Sequence, residues 1–199
     1  MTKYVVNSGG ISRSPDKGES YYREIVKDLG PNPKILFCFF ASARERWEGK
    51  FSRYIKGFTE LLDEKTRPTF DLAFPHSFAE QVKTADAVYI HGGDDHLLLY
   101  WLRQFDLPTL WNGKVVATNS ASSDALSQHF WAVDWRQCMD GLGVLPLKFI
   151  PHYEGWDDPE DTRDPINWLA AKQELADYGD RSLPIYALRE GEFEVFITD

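Results

Sequence analysis

The stretch Val115-Val116-Ala117-Thr118-Asn119-Ser120-Ala121-Ser122-Ser123 runs from apolar, β-branched residues straight into a serine with small neighbours. The first half suits a strand buried on both faces, and the second half is ordinary helix-start composition. A strand that stops at a serine and turns at once into a helix can hold the hydroxyl exposed on a sharp bend, where bulky neighbours would clash. Taken alone, the run reads better as a strand followed by a serine-capped helix, because Ser is a common helix N-cap. Upstream, Tyr89-Ile90-His91-Gly92-Gly93-Asp94-Asp95 makes a similar transition. Its paired glycines allow a tight turn whose N–H groups can face an incoming oxygen; the plain alternative is a turn with Asp94 or Asp95 as helix cap.

Working outward, further short apolar runs alternate with helix-like stretches. The strand candidates are Tyr4–Val6, Lys34–Phe40, Thr69–Phe74, Ala87–Ile90 and Lys114–Thr118. The helix candidates are Glu19–Leu29, Arg46–Glu64, Ser77–Lys83, Asp95–Gln104 and Ser120–Gln128. This alternation predicts an α/β fold with a mostly parallel sheet and helices on both faces. Within Arg46–Glu64, Trp47, Phe51, Tyr54, Ile55, Phe58, Leu61 and Leu62 recur at helical spacing and read as a core stripe. Leu183–Leu188 and Phe193–Ile197 flank Glu190-Gly191 as a terminal hairpin would. Glu154–Pro165, rich in Asp, Glu and Pro, reads as a surface loop.

The length of 199 residues fits one domain, and a 43% hydrophobic share with seven Trp and thirteen Phe can build a large core. A formal charge of −9, from 31 acidic against 22 basic residues, repels phosphate backbones and anionic lipid, so neither nucleic acid nor membrane is an expected partner. The start MTKYVVNSGG lacks the marks of a secretory leader, which points to a cytoplasmic protein. Cys38 and Cys138 form no C-x-x-C pair. Cys38 reads as a buried hydrophobe and Cys138 as a poor alternative nucleophile. His76, His91, His96 and His129 lack metal-ligand spacing with a carboxylate and read as structural or exposed.

Downstream of Ser120, Phe130-Trp131-Ala132-Val133-Asp134-Trp135 sets a carboxylate among aromatics, and Phe149-Ile150-Pro151-His152-Tyr153 sets a histidine after an apolar run. The order Ser, Asp, His suits an elbow-type hydrolase. Together these segments resemble the dipeptidase E and cyanophycinase family of serine peptidases, built on a class I glutamine amidotransferase-like, flavodoxin-like three-layer scaffold. That family carries a Gly-Gly-Gly-Asn stretch, a Gly-x-Ser-Ala-Gly-Ala elbow and a later Pro-His. Here His91-Gly92-Gly93-Asp94, Thr118-Asn119-Ser120-Ala121-Ser122-Ser123 and Pro151-His152-Tyr153 fall on them in order, and Ala187-Leu188-Arg189-Glu190-Gly191 is similar to a family Leu-x-Glu-Gly segment.

The resemblance implies that Ser120 attacks the scissile carbonyl, His152 relays the proton and Asp134 orients the imidazole, with Asp124 and Asp140 as other candidates for the last role. It also implies that the N–H groups of Gly93 and Ala121 receive the oxyanion. No metal or organic cofactor is implied. Three departures bear on this: Thr118 and Ser122 stand where the family has elbow glycines, and Asp94 stands where it has Asn. A threonine at a strained turn would cost backbone freedom, and an inward Asp94 carboxylate would oppose an oxyanion.

Hydrolysis next to aspartyl residues, as the resemblance implies, requires a cation for the substrate carboxylate. Arg163, in Thr162-Arg163-Asp164, matches a family Thr-Arg stretch, and Arg136 is a second choice. The expected function is thus a serine-type hydrolase acting on small peptides or related amides, with a homodimer left open. The competing reading is a catalytically silent relative that keeps the cleft to bind a small acidic ligand or a partner protein. A cysteine-dependent amidotransferase is disfavoured because the elbow carries Ser120.

Overall fold

The computed structural model describes residues 1–62, 65–156 and 161–199. Strands β1 (Thr2–Asn7), β2 (Lys34–Cys38), β3 (Thr69–Leu72), β4 (Ala87–Ile90), β5 (Val115–Asn119) and β10 (Phe193–Thr198) form one sheet in the order β10-β1-β5-β4-β2-β3. All its pairings are parallel except β10 on β1. A second sheet, ordered β7-β6-β8-β9, comprises β6 (Ser127–Ala132), β7 (Gln137–Asp140), β8 (Leu145–Ile150) and β9 (Ile185–Ala187). There β8 runs parallel to β6 and β9, while β7 is antiparallel to β6. With helices on both sides this is the expected mostly parallel α/β architecture, in two sheets where the sequence suggested one.

Burial explains the strands. Ile35 through Phe40 and Ala87 through Ile90 are all at 0% exposure, so their side chains leave water on both faces at once. Helices α1 (Glu19–Val26) and α2 (Trp47–Leu61) cover the face carrying Phe37 and Tyr89: Tyr21 and Tyr54 meet Tyr89, and Phe51 and Phe58 meet Phe37, at ring-centroid distances of 5.8–6.4 Å. In the predicted stripe of α2, Trp47 and Phe58 are buried, while Phe51, Tyr54 and Leu61 pack against the core half-covered. The expected helix end at residues 63–64 lies outside the described residues, as do residues 157–160 of the acidic Glu154–Pro165 segment.

The other helices are α3 (Phe78–Thr84), α4 (Asp95–Leu102), α5 (Leu107–Leu110), α6 (Ala121–Leu126) and α7 (Trp168–Asp177). Two expectations are corrected. Leu183–Leu188 and Phe193–Ile197 are not a hairpin: β9 joins β8 in the second sheet, whereas β10 crosses to pair with β1. The helix beginning at Ser120 ends at Leu126, where Ser127 turns extended and bonds the Asp124 carbonyl through its hydroxyl at 2.7 Å. The aromatic run after it is strand β6, held by β7 and β8 on either side. Helix α7 was not foreseen; Asn167 caps it, and the fully buried Lys148 closes its far end by donating to the carbonyls of Leu175, Ala176 and Tyr178.

Candidate active site

Ser120 stands at the junction of β5 and α6 with φ 57° and ψ −122°, a backbone shape that a non-glycine residue adopts only when its surroundings impose it. Those surroundings are visible. The Ser120 N–H donates to the Asn7 carbonyl at 3.1 Å, and the Ser123 hydroxyl donates to the same oxygen at 2.7 Å, so the end of β1 grips both sides of the bend. Ser122 donates to the Ile90 carbonyl at 2.6 Å and accepts from the Asn119 N–H at 2.7 Å. Neither Thr118 nor Ser122 has a positive φ, so the replaced elbow glycines add no strain; their hydroxyls instead tie the elbow to its neighbours.

Beside the elbow, the Gly92-Gly93 turn follows β4. A Cβ on Gly92 would lie 2.2 Å from the Asn119 carbonyl oxygen, and Gly93 has φ 146°, so each position needs glycine for its own reason. Asp94 turns away from the cleft to cap α4, accepting from the Leu97 N–H at 2.7 Å. The feared carboxylate opposite an oxyanion is therefore spent on the helix. Ala121 is the first residue of α6, where backbone N–H groups lack an intrahelical acceptor.

His152 follows β8, and its N–H donates to the Ser8 hydroxyl at 2.7 Å. Its Nε2 lies 2.9 Å from Ser120 Oγ, and its Nδ1 lies 3.1 Å from Glu190 Oε1. A carboxylate can only accept, so Nδ1 carries the proton and the Nε2 lone pair faces the serine O–H. Burial pushes the imidazole pKa below its ordinary value, and the hydrogen bond and charge of Glu190 pull partly the other way. A neutral imidazole beside the hydroxyl is the protonation state of a general base at neutral pH.

The carboxylate at Nδ1 is thus Glu190, where the sequence pointed to Asp134. Between β9 and β10 the chain crosses from one sheet to the other, which swings Glu190 over the histidine. Glycines clear its path: a Cβ on Gly10 would lie 2.8 Å from the Glu190 Cβ, and one on Gly9 would lie 2.2 Å from the imidazole Cε1. Arg13 holds the second carboxylate oxygen at 2.5 Å. Four strand ends meet here: Asn7 to Gly10 close and follow β1, the glycine turn follows β4, the serine β5 and the histidine β8.

Ser120 and His152 share a pocket of about 150 Å³ with Gly93, Ala121 and Trp156. Larger hollows elsewhere, such as one of about 710 Å³ beside Arg189 and Phe193, lack this combination of groups. Among the described residues no three His, Cys, Asp or Glu side chains converge as a metal site, and no helix is long and apolar enough to cross a membrane.

The model for peptidase family S51 matches residues 5–199. The chain belongs to peptidase family S51. Among solved structures it is similar to a peptidase from an acI-B1 Actinobacterium, at 20% identity and a TM-score of 0.62, covering 98% of this chain and 83% of that one. It is also similar to a candidate Peptidase E protein from Listeria monocytogenes EGD-e, at 16% identity and a TM-score of 0.59, covering 100% of both. At such identities the likeness shows the fold alone. No curated protein matches the chain. The resemblance to the dipeptidase E and cyanophycinase family is borne out at the level of the family and fold.

Within this S51 chain, Asp134 lines the Ser120 pocket and gives its backbone carbonyl to Arg163 at 3.0 Å. The Arg163 guanidinium is also gripped by Asp161 from Nε and Nη2 at 2.7 Å each, and Arg136 bonds the same carboxylate at 2.9 Å. Asp124 is buried in the pocket wall, and Asp140 pairs with His129 at 2.8 Å, well occupied as a structural group. His91 bonds Tyr54 and is half-buried, its pKa lowered to about 4, first by desolvation. The thiols of Cys38 and Cys138 are both pushed up to about 12, first by burial, which leaves neither as a ready thiolate. Sequence reasoning missed Glu190, although its Leu-x-Glu-Gly segment stood out. It also missed Asn7-Ser8-Gly9-Gly10, whose strand-then-glycine signature repeats that of His91-Gly92-Gly93.

Proposed function

We propose that this chain is a serine-type peptidase that cleaves the amide bonds of small peptides, with Ser120 as nucleophile, His152 as general base and then acid, and Glu190 as the residue that positions the imidazole. The observation that carries the reading is the relay from a strained Ser120 through 2.9 Å to His152 Nε2 and from Nδ1 through 3.1 Å to Glu190. In the first half-reaction the serine oxygen adds to the carbonyl carbon while its proton passes to Nε2, and the carbonyl oxygen becomes the oxyanion. The Gly93 and Ala121 N–H groups border the same pocket and would receive it, each such donor being worth roughly 3 kcal/mol. Collapse of the intermediate expels the amine, which takes the proton from Nε2. Water then repeats the sequence on the acyl-serine. Membership of family S51 supports the peptidase activity.

The test is labelling by a fluorophosphonate, which forms a bond to an activated serine and releases fluoride. Mass spectrometry is expected to find the adduct on Ser120 alone, with labelling abolished in His152→Ala. An unlabelled Ser120 would leave the reading of a silent relative that keeps the cleft for a ligand or partner.

Cleavage next to aspartyl residues is the finer reading, with Arg163 holding the substrate carboxylate. Its support is positional: Arg163 bonds the backbone of Asp134 at the pocket wall, and Asp161 keeps the guanidinium neutralised until a substrate carboxylate competes for it. Arg163→Ala is then expected to lower kcat/KM on an aspartyl dipeptide about tenfold or more, while leaving a neutral dipeptide nearly unchanged. Equal effects on both substrates would remove Arg163 from substrate recognition.

A further inference from the structure

The wall of the Ser120 pocket carries an unusual set of groups. Asp95, from the first turn of α4, is 5% exposed, and Asp124, from the first turn of α6, is 2% exposed. Both line the pocket together with Asp134, and one carboxyl oxygen of each of Asp95 and Asp124 is buried without a hydrogen-bond partner. Leaving a buried carboxyl oxygen unsatisfied costs a protein on the order of 1–3 kcal/mol, and more when it is charged. Two such atoms, closed off just behind the wall of one small pocket, leave acceptor capacity that a donor entering the pocket can take up by a small turn of the carboxyl groups. His152 is the sole basic side chain lining the pocket among the described residues, and it is already engaged by Ser120 and Glu190.

We infer that the pocket beside Ser120 is a subsite for the positively charged nitrogen of the substrate, an ammonium group that donates to Asp95 and Asp124. This rests on the serine-peptidase reading for its meaning as a substrate subsite. The chemistry fits: an ammonium group offers three donors, and the unsatisfied oxygens are acceptors. Trp156, on the same lining, adds an aromatic ring, a surface that attracts cations. The size fits as well. About 150 Å³ is room for roughly five waters at about 30 Å³ each, enough for the amine-bearing end of one residue. An α-ammonium lies two bonds, roughly 2.5 Å, from the carbonyl carbon that Ser120 would attack, whereas a lysine ammonium must reach several bonds further.

Protonation links the subsite to pH. Burial, then the neighbouring carboxylates of Asp134 and Asp94, raises the Asp95 pKa to about 7; burial, then Asp95 and Asp134, raises that of Asp124 well above the usual carboxylate range. Below pH 7 the empty pocket therefore holds largely neutral acids, which do not oppose an oxyanion. An arriving ammonium favours the ionised form, so binding releases a proton and strengthens as pH rises from 6 to 7; above that an α-ammonium, whose ordinary pKa is about 8, begins to lose its own proton.

The experiment uses full-length Ser120→Ala protein, which cannot turn substrate over, and measures binding of alaninamide, N-acetylalaninamide and Nα-acetyl-lysinamide by calorimetry at pH 6.5, where the amines are protonated and Asp95 is mostly neutral. Alaninamide is expected to bind about 10- to 100-fold more tightly than N-acetylalaninamide, the range of one charge-assisted hydrogen-bonded contact. Comparable binding of Nα-acetyl-lysinamide would identify a side-chain ammonium as the source. Introducing Asp95→Asn with Asp124→Asn, which keeps shape and removes the ionisable groups, is expected to abolish the preference. Should that variant fail to fold, proton uptake or release on binding alaninamide in two buffers of different ionisation enthalpy reads the same coupling in the Ser120→Ala protein. The inference is overturned if neither ammonium ligand binds better than N-acetylalaninamide, if the preference survives the double substitution, or if binding releases no proton. Fluorophosphonate labelling of the parent protein is independent of all three. Absent labelling with a retained ammonium preference would sink the peptidase reading and leave the subsite standing, and the reverse result would do the opposite.

Discussion

Ser120→Ala and His152→Ala are each expected to lower kcat by a factor on the order of 10⁴ to 10⁶, and the double variant is expected to lose no more than either alone. The reason is that the 2.9 Å bond makes the two side chains one device. A serine hydroxyl without a base is a poor nucleophile, and a base without the hydroxyl has nothing to activate, so removing either removes the covalent route and leaves the oxyanion donors and substrate positioning. Steady-state rates on a dipeptide, with active-site titration to exclude parent contamination, would check it. Losses that multiply in the double variant would mean that Ser120 and His152 act in separate steps. A companion measurement concerns the bend itself. Ser120→Gly takes φ 57° and ψ −122° without the penalty a Cβ brings, so it is expected to be at least as stable as Ser120→Ala in thermal unfolding.

The first sheet was legible in the sequence because its strands are covered on both sides. Lys34–Phe40, Ala87–Ile90 and Lys114–Thr118 read as strands since almost every residue in them is apolar, and the structure finds those residues at or near zero exposure. The second sheet was harder. Strand β6, Ser-Gln-His-Phe-Trp-Ala, begins with polar residues that satisfy a turn, and β7 is half-exposed and polar, so periodicity alone did not separate them from the preceding helix. The terminal segments misled for a different reason. Two short strand-like runs around Glu190-Gly191 have the local chemistry of a hairpin, and only the long-range choice of partners, β8 for one and β1 for the other, decides against it.

The site shows the same division. Ser120 and the glycine turn were readable because a nucleophile elbow and a tight turn impose composition locally. His152 was readable as a histidine at the end of an apolar run. The carboxylate was not, because nothing local distinguishes Asp134, flanked by aromatics between Ser120 and His152 in the chain, from Glu190, which lies 38 residues beyond the histidine. What distinguishes them is the crossing between sheets and the missing side chains of Gly9 and Gly10, features that pair residues nearly the whole chain apart. The departures from the family elbow add no left-handed backbone for a reason also absent from the sequence: the positive φ of the bend is carried by Ser120 itself, while Thr118 and Ser122 sit in regular strand and helix.

Glu190→Gln is expected to lower kcat about 10⁴-fold, against less than tenfold for Asp134→Asn. The glutamine side chain keeps the size of the carboxylate but can offer its NH₂ to Nδ1, which favours the tautomer with the proton on Nε2, facing Ser120 and unable to accept from it. Asp134 influences His152 only through its charge, and by less than Glu190 does. The pH profiles carry a second, independent sign. Burial already lowers the imidazole pKa, and Glu190 opposes that lowering by hydrogen bond and charge, so the acid limb of kcat/KM in the parent is expected below the ordinary histidine value of about 6.5. With the carboxylate gone the opposition is gone, and the limb in Glu190→Gln moves to still lower pH even as the plateau collapses. Thermal unfolding of the three proteins at pH 7.5 serves as the control for a folding defect. A Glu190→Gln variant with near-parent kcat and an unmoved acid limb, beside an Asp134→Asn variant with a collapsed rate, would return the positioning role to Asp134.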